Sequence, residues 1–248
     1  MINNEQEKTA KSKTDYLLPF SIIIAALLIS GSWIYVSGLK SVVFDEKTAD
    51  KNDKTAQLVN PDIKNVSEDF SQDHIRGNSE APVKIVEFSD MECPFCKKFH
   101  QTMIQAMDEY GGNNKVAWIY RHYPLEQLHS KAKKSAEASE CAAELGGNDG
   151  FWNYLDKYFE ITPSNDQIDL AELPKIAESV GLNKTQFENC LNSGRYAEKI
   201  EAQILDAENS GARGTPYGIV IAENGKKYPI GGALPYEQVK LLIEEALR

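Results

Sequence analysis

The alternation of apolar and polar positions predicts an α/β arrangement in the C-terminal part of the chain. Residues 83–88, VKIVEF, are rich in β-branched residues and typical of a buried strand. Residues 94–110 predict a helix that begins at a proline and ends at two glycines. Its predicted core stripe has four-residue spacing and consists of Phe95, Phe99, Met103 and Met107. Residues 115–125, KVAWIYRHYPL, predict a second strand.

A helical block and a second strand-rich unit follow. Five segments have helical patterns, namely 130–145, 151–161, 170–180, 185–194 and 195–211. Pro174 lies inside the third segment, so that helix should start or kink there. Residues 211–221 and 226–232 predict two strands joined by an ENG turn, and 234–247 predict a last helix. The order βαβ, helices, ββα predicts one α/β domain with a helical insertion at about 126–211.

The N-terminal part contains one long uncharged stretch, residues 17–38. As a helix it would be roughly 33 Å long, enough to cross a bilayer core. We therefore predict a transmembrane signal anchor that follows a cytoplasmic tail at 1–16. A cleaved signal peptide is the alternative, but it needs a shorter apolar region and an A-x-A-like site, which we do not find.

Residues 39–65 are polar and predict a flexible linker, although they could also pack against the following domain. Residues 66–248 then form the predicted folded domain. Lysines stand on both sides of the apolar stretch, so the positive-inside rule leaves the topology open. The net charge of −10 argues against nucleic acid as a partner.

Two of the four cysteines, Cys93 and Cys96, are separated by Pro94 and Phe95. They could be a redox pair, half of a metal site or a coincidence. Cys93 should lie at a helix N-terminus, where unpaired N–H groups and the helix dipole favour a thiolate. We expect Cys93 to be exposed and to attack, and Cys96 to be shielded and to resolve the mixed disulfide.

A metal site would need two further ligands. Cys141 and Cys190 stand alone, and the histidines are scattered along the chain at His74, His100, His122 and His129. We therefore predict no metal. Glu87 lies between apolar neighbours in the first predicted strand and could be a buried proton acceptor for Cys96, or an outward, solvated side chain.

These features together resemble the DsbA-like class of thioredoxin-fold thiol:disulfide oxidoreductases, over residues 66–248. The resemblance depends on the helical insertion and on four motifs, VEFSDMECPFC (86–96), YRHYPL (120–125), GTPYG (214–218) and GGALP (231–235). It implies a thioredoxin fold with an inserted all-helical subdomain, preceded here by an N-terminal transmembrane helix.

The resemblance also implies roles for single residues. Cys93 would be the nucleophile, Cys96 the resolving cysteine and Glu87 the buried acid. Substrate would be bound by the cis-proline loop and by the residues between the cysteines, namely Thr215, Pro216, Pro94 and Phe95. His122 and His129 occur in similar contexts, but no mechanism follows for them, and a structural role is expected.

Some members of this class have a second, structural disulfide, which would here join Cys141 to Cys190. The enclosed loop of about 50 residues would contribute roughly 4 kcal/mol in the chain-entropy model. The alternative is two buried free thiols that pack as small apolar residues.

The predicted function is a membrane-tethered oxidase that forms disulfides in exported proteins without a cofactor. It would be a single-pass protein of a bacterial cell membrane with an extracytoplasmic catalytic domain, recharged by a DsbB-like or VKOR-like quinone-linked oxidase. Strongly oxidising relatives carry Pro-His between the cysteines, whereas this chain carries Pro94 and Phe95. Two alternatives therefore stay open. One is a reductase or isomerase with the same fold, and the other is a peptide-binding module without enzymatic activity.

Overall fold

A computed structural model describes residues 66–248 of the chain. The predicted membrane anchor at 17–38 and the linker at 39–65 lie outside these residues. Within the described part, no helix is both long and apolar enough to cross a membrane.

The centre of the domain is a five-stranded mixed sheet with the order β1-β3-β2-β4-β5. Its strands are β1 His74–Gly77, β2 Val83–Ser89, β3 Val116–His122, β4 Tyr217–Ile221 and β5 Lys227–Gly231. β2 and β3 run parallel, and the other neighbours run antiparallel. β2 lies between two strands and is buried on both faces, which explains why apolar residues occur on both of its faces. The sequence pattern does not predict β1, because its four residues HIRG are too few and too polar.

Six α-helices surround this sheet. They are α1 Pro94–Ala106, α2 Ala132–Ile161, α3 Leu173–Ser179, α4 Lys184–Ser193, α5 Ala197–Asn209 and α6 Tyr236–Ala246. A π-helical turn, Met107–Gly111, follows α1, and a 3-10 turn, Leu170–Glu172, precedes α3. The block from α2 to α5 stands between β3 and β4, where the helical insertion was predicted. The predicted α/β fold class is confirmed.

Two boundaries differ from the sequence prediction. The helices predicted at 130–145 and 151–161 form one element, α2, with a break at Gly147 where φ is 63°. Glycine adopts this left-handed conformation without a steric penalty, so the chain changes direction and the helix resumes. The strand predicted from residue 211 begins only at Tyr217, because the preceding residues form a loop that faces α1. Pro174 lies in the first turn of α3, one of the two placements expected for it.

The two faces of the sheet carry separate apolar cores. Val83 and Ile85 of β2 join the larger core, together with side chains from α1, α6 and the helical block. Val86 and Phe88 point to the opposite face and join a smaller core that includes Ala207 of α5. This alternation is the two-residue period of a strand buried on both sides.

The prediction that Phe95, Phe99, Met103 and Met107 form one buried stripe is wrong for Phe95. Phe99 and Met103 are fully buried and Met107 nearly so, but Phe95 is 63% exposed. Four-residue spacing drifts by about 40° per step around a helix of 3.6 residues per turn, so Phe95 and Met107 cannot share one face. Phe95 lies in the first turn of α1, next to Cys93.

A disulfide joins Cys141 of α2 to Cys190 of α4. Both residues are buried, and the bond joins two helices of the insertion that pack against each other. The two cysteines are therefore not the free thiols of the alternative reading.

Candidate active site

Cys93 occupies the N-cap position of α1. Its backbone is extended, with φ −77° and ψ 124°, and its carbonyl accepts the first helical hydrogen bond from Lys97 N at 3.1 Å. Pro94 stands in the first turn, where a missing N–H costs no helical hydrogen bond. The Cys93 sulfur thus lies at the positive end of the helix dipole.

Cys93 is less accessible than the sequence predicts, since only 5% of the residue is exposed. The loop before β4 covers it, and the Thr215 carbonyl oxygen lies 3.5 Å from Cys93 Sγ and accepts its hydrogen bond. The expectation of an exposed cysteine is wrong because this loop is distant in sequence and only the fold brings it over the helix terminus.

The two cysteines differ strongly in ionisation. A hydrogen bond from the Cys96 thiol, helped by the Cys96 backbone N–H, lowers the pKa of Cys93 to about 6. Cys96 is fully buried, and burial together with the neighbouring Cys93 thiolate raises the pKa of its thiol. Both cysteines are free thiols in the structure. The geometry therefore provides one ready thiolate and one shielded thiol.

Glu87 is fully buried in β2, opposite Tyr120 of β3 and Gly218 of β4. The indole nitrogen of Trp118 donates a hydrogen bond to Glu87 Oε2 at 2.9 Å. Burial raises the pKa of Glu87 to about 7, although the hydrogen bonds favour the charged form. The solvated alternative is thereby excluded. The buried Tyr120 hydroxyl lies within electrostatic range of both Glu87 and Cys96.

The loop that faces the cysteines contains the GTPYG motif. The Thr215–Pro216 peptide bond is cis. The Pro216 carbonyl accepts a hydrogen bond from Gly232 N at 3.1 Å, and the Tyr217 hydroxyl donates one to the Ser210 carbonyl at 3.2 Å. These contacts fix the loop, so that the Thr215 carbonyl lies beside the reactive sulfur.

Two acidic residues between β2 and Cys93 belong to the site, although the sequence reasoning gave them no role. Asp90 Oδ2 accepts hydrogen bonds from Leu125 N at 2.9 Å and from His129 Nδ1 at 2.8 Å. Glu92 is fully buried and contacts the Tyr158 hydroxyl, and its Oε2 accepts from Asp166 N at 2.8 Å. Two buried acids within four residues of a reactive cysteine were a sequence signal that could have been used.

His122 and His129, for which the sequence suggested no mechanism, lie in different surroundings in the structure. His122 is the last residue of β3 and contacts Ser139 and Glu140 of α2, in a cluster that also includes His74 and Lys199. It does not meet the cysteines through any described contact, so a structural role fits it. His129 instead shares Asp90 with the active-site segment. Among residues 66–248, no three His, Cys, Asp or Glu side chains are grouped so that they could hold a metal ion.

Comparisons with known proteins agree with this geometry. The model of a family described as Thioredoxin (Thioredoxin_4) matches residues 69–245. DsbA2 of Pseudomonas aeruginosa superposes with a TM-score of 0.58 and 25% identity, over 71% of this chain and 94% of that one. Oxidised BdbD of Bacillus subtilis gives a TM-score of 0.63 at 24% identity, over 74% of this chain and 96% of that one. The chain belongs to the thioredoxin family, and its described part is a DsbA-like thiol:disulfide oxidoreductase domain.

Curated relatives are much longer proteins. Na(+)/H(+) antiporter NhaA 3 of Salinispora tropica is 34% identical over 160 residues, which are 64% of this chain and 23% of that protein. The antiporter NhaA of Herminiimonas arsenicoxydans is 29% identical over 79% of this chain and 28% of its own length. This chain therefore spans about a quarter of the length of the curated relatives it matches.

Proposed function

We propose that this protein is a membrane-tethered thiol oxidase that introduces disulfides into exported proteins through Cys93 and Cys96. The observation that carries the proposal is the Cys93 sulfur at the N-terminus of α1, with a lowered pKa and the Thr215 carbonyl 3.5 Å away. A thiolate that is stabilised in the reduced protein makes its disulfide a better oxidant.

The reaction begins with the oxidised protein. A substrate thiolate attacks Cys93 Sγ and breaks the Cys93–Cys96 bond, so that a mixed disulfide forms on Cys93 and Cys96 leaves as a thiolate. Cys93 is the point of attack because Cys96 is fully buried. Cys96 then takes up a proton, which its raised pKa favours.

Glu87 is the proposed source of that proton. With a pKa of about 7, its carboxyl is partly protonated at neutral pH and can give up or take a proton without a large cost.

The second substrate thiolate attacks the substrate sulfur of the mixed disulfide. A substrate disulfide forms, and Cys93 leaves as a thiolate. Two electrons have then passed from the substrate to the protein. The low pKa of Cys93 makes it the better leaving group of the mixed disulfide.

Substrate binding is assigned to the surface around Cys93. The backbone of Thr215, held beside cis Pro216, would pair with an extended substrate like an added strand. Phe95 is 63% exposed in the first turn of α1 and offers an apolar contact beside Pro94. Exposed aromatic side chains next to a reaction centre are typical of protein-binding surfaces.

The site of action is proposed from the sequence and the relatives together. An anchor at 17–38, a tail at 1–16 and a linker at 39–65 would hold the domain at the outer face of a bacterial cell membrane. The disulfide between Cys141 and Cys190 suits an oxidising compartment. A DsbB-like or VKOR-like quinone-linked membrane oxidase would accept the two electrons and regenerate the Cys93–Cys96 disulfide.

Trapping of mixed disulfides tests the reaction. In a C96S variant the adduct on Cys93 cannot be displaced from within the protein, so covalent adducts with exported thiol proteins should accumulate in bacteria. The C93S variant is the matched control and should form none. Equal adduct formation by both variants, or by neither, would refute the assigned roles.

The direction of electron flow is decided by the reduction potential in glutathione buffers. A value of about −120 to −150 mV is that of a strong oxidant and supports the oxidase. A value of about −270 mV would identify a reductase, the alternative that Phe95 favours because it supplies neither a hydrogen bond nor a charge to Cys93.

A further inference from the structure

Asp90 connects both cysteines to a histidine from another part of the chain. Its backbone carbonyl accepts from Cys93 N at 3.1 Å, and its backbone N–H donates to Cys96 Sγ at 3.4 Å. Its side chain accepts from Glu92 N at 2.8 Å and from His129 Nδ1 at 2.8 Å. Asp90 itself is 1% exposed.

His129 is held firmly in this position. It is 7% exposed, and its backbone N–H donates to the Leu125 carbonyl at 2.9 Å. Because Nδ1 faces a carboxylate, that nitrogen carries the proton and the second nitrogen is free to take another. A buried carboxylate also needs a partner, since an unpaired charge in this position would be strongly destabilising.

We propose that the Asp90–His129 pair is the positioning element that places a positive charge beside Cys93 and so makes the cysteine pair more oxidising. The inference rests on the proposed function and assigns to His129 the electrostatic role that Phe95 cannot supply. His129 acts through its field on the Cys93 sulfur and does not take part in bond exchange.

The electron and proton balance defines the effect. Reduction of the Cys93–Cys96 disulfide takes two electrons and one proton, and it leaves a thiolate on Cys93 and a thiol on Cys96. The imidazolium of His129 stabilises only the reduced side, because the disulfide carries no charge. Stabilising the reduced side raises the reduction potential.

Three titratable groups have the largest effects on the charge of His129. The titratable groups that face it are Asp90 after β2, Cys93 at the start of α1 and Asp166 after α2. Asp166 is already engaged by Ser130 N at 2.6 Å and Lys131 N at 2.9 Å. Burial opposes the charged imidazole, but the Asp90 hydrogen bond and the Cys93 charge raise the pKa of His129. The advantage should therefore be lost below the Cys93 pKa of about 6, where Cys93 is a neutral thiol, and also above the higher His129 pKa, where the imidazole is neutral.

Three variants of the full 248-residue chain test this. H129Q removes the charge, H129K keeps a charge that does not titrate in this range, and H74Q is the matched control, since His74 contacts Glu140 and Phe151 instead. Cys93 ionisation is followed by thiolate absorbance and by the pH dependence of alkylation.

In H129Q the Cys93 pKa should rise by about one unit, the lower end of the range for a nearby opposite charge. At pH 7 the glutathione equilibrium should shift about fivefold toward the disulfide, which corresponds to about 20 mV for a two-electron couple. H129K should retain the low Cys93 pKa, and H74Q should match the wild type. An unchanged Cys93 pKa in folded H129Q would overturn the proposal.

A second measurement needs no substitution at His129. By linkage, the His129 pKa must be higher in the reduced protein than in the oxidised protein, by the amount that His129 lowers the Cys93 pKa. Nuclear magnetic resonance titration of the imidazole in both redox states measures this difference, and equal values would overturn the proposal.

The test of His129 and the test of the proposed oxidase function can fail independently of each other. Cys93 ionisation is measured without any substrate, so a shifted pKa in H129Q stands even if C96S traps no exported protein. Conversely, trapping by C96S with an unchanged pKa in H129Q would leave the oxidase intact and remove only the role of His129.

Discussion

At the scale of single residues, burial sets the chemistry of the site. Glu87 and Cys96 are both fully buried, and both are shifted toward their neutral forms. Cys93, at the helix terminus above them, is shifted toward its charged form. Opposite shifts in neighbouring groups are what the proposed reaction needs, with Cys93 as the attacking residue and the buried groups exchanging protons.

The buried Glu87 should make stability depend on pH. Its folded pKa of about 7 lies above the ordinary value of 4.5, so its contribution is complete below about pH 4.5 and is lost as pH rises through 7. A rise of the Glu87 pKa from 4.5 to about 7 corresponds to a loss of about 3 kcal/mol in the free energy of unfolding. Urea unfolding at pH 5 and pH 8 should show this loss in the wild type and not in E87Q.

The matched control is E223Q, since Glu223 is an exposed side chain in a turn. E223Q should follow the wild type at both pH values. Parallel pH dependence in E87Q and the wild type would show that Glu87 is not the group responsible. E87Q should also slow release of Cys96 by roughly 10²-fold, the usual contribution of a positioned acid or base.

The exposed ring of Phe95 is assigned to substrate binding. F95A should change the free energy of unfolding by no more than about 0.5 kcal/mol, because surface substitutions rarely have a larger effect on stability. It should raise KM for an apolar dithiol peptide several-fold while kcat changes little. L241A is the control, since Leu241 on α6 is similarly exposed, at 58%. Equal KM values in F95A and L241A would remove Phe95 from the binding surface.

At the scale of secondary structure elements, covalent and ionic contacts attach the helical insertion to the rest of the domain. The disulfide holds α4 against α2. Arg121 on β3 pairs with Asp206 on α5 at 2.6 Å and with Asp73, just before β1, at 2.6 Å. These contacts hold α4 against α2 and α5 against the sheet, and α2 carries Tyr158, which contacts Glu92.

Removal of the disulfide should destabilise the domain without abolishing exchange at Cys93. The double variant C141A/C190A should lose about 4 kcal/mol, the chain-entropy value for a loop of this length. Urea unfolding measures the loss, and thiol exchange at low urea should continue. A midpoint identical to the wild type would mean that packing alone holds α2 to α4.

Arg121 should contribute through buried pairing. It is 3% exposed, so R121M leaves two carboxylates without their partner and should cost about 3–5 kcal/mol. R195M is the control, because Arg195 forms an exposed pair with Glu144 and its loss should cost at most about 1 kcal/mol. Similar unfolding midpoints for the two variants would contradict this view of the Arg121 cluster.

At the scale of the whole molecule, the proposed function requires the domain to face an oxidising compartment. Alkaline phosphatase, which needs disulfides to be active, can be fused after Arg248. The fusion to the full chain should be active in bacteria, and deletion of residues 17–38 should abolish the activity. Activity that survives this deletion would refute the anchor at 17–38 as the export signal.

Much of the fold could be predicted from local patterns. The apolar positions of β2 and the CxxC spacing depend on nearby residues. The expectation that the GTPYG loop faces the cysteines came from the resemblance to the DsbA-like class, and the structure places Thr215 beside Cys93. The π-helical turn after α1 and the continuity of α2 could not be predicted, since both depend on packing against distant elements.

The sequence by itself determined the order of elements from β2 onward, the helix terminus under Cys93 and the closeness of Cys93 to Cys96. These follow from periodicity and from spacing within one helical turn, which are local properties of the chain. Only the tertiary structure decided that Glu87 is buried, that Thr215 covers Cys93 and that His129 meets Asp90. Each of these depends on which distant segments the sheet brings together, and desolvation and charge at a site are set by all its neighbours in space.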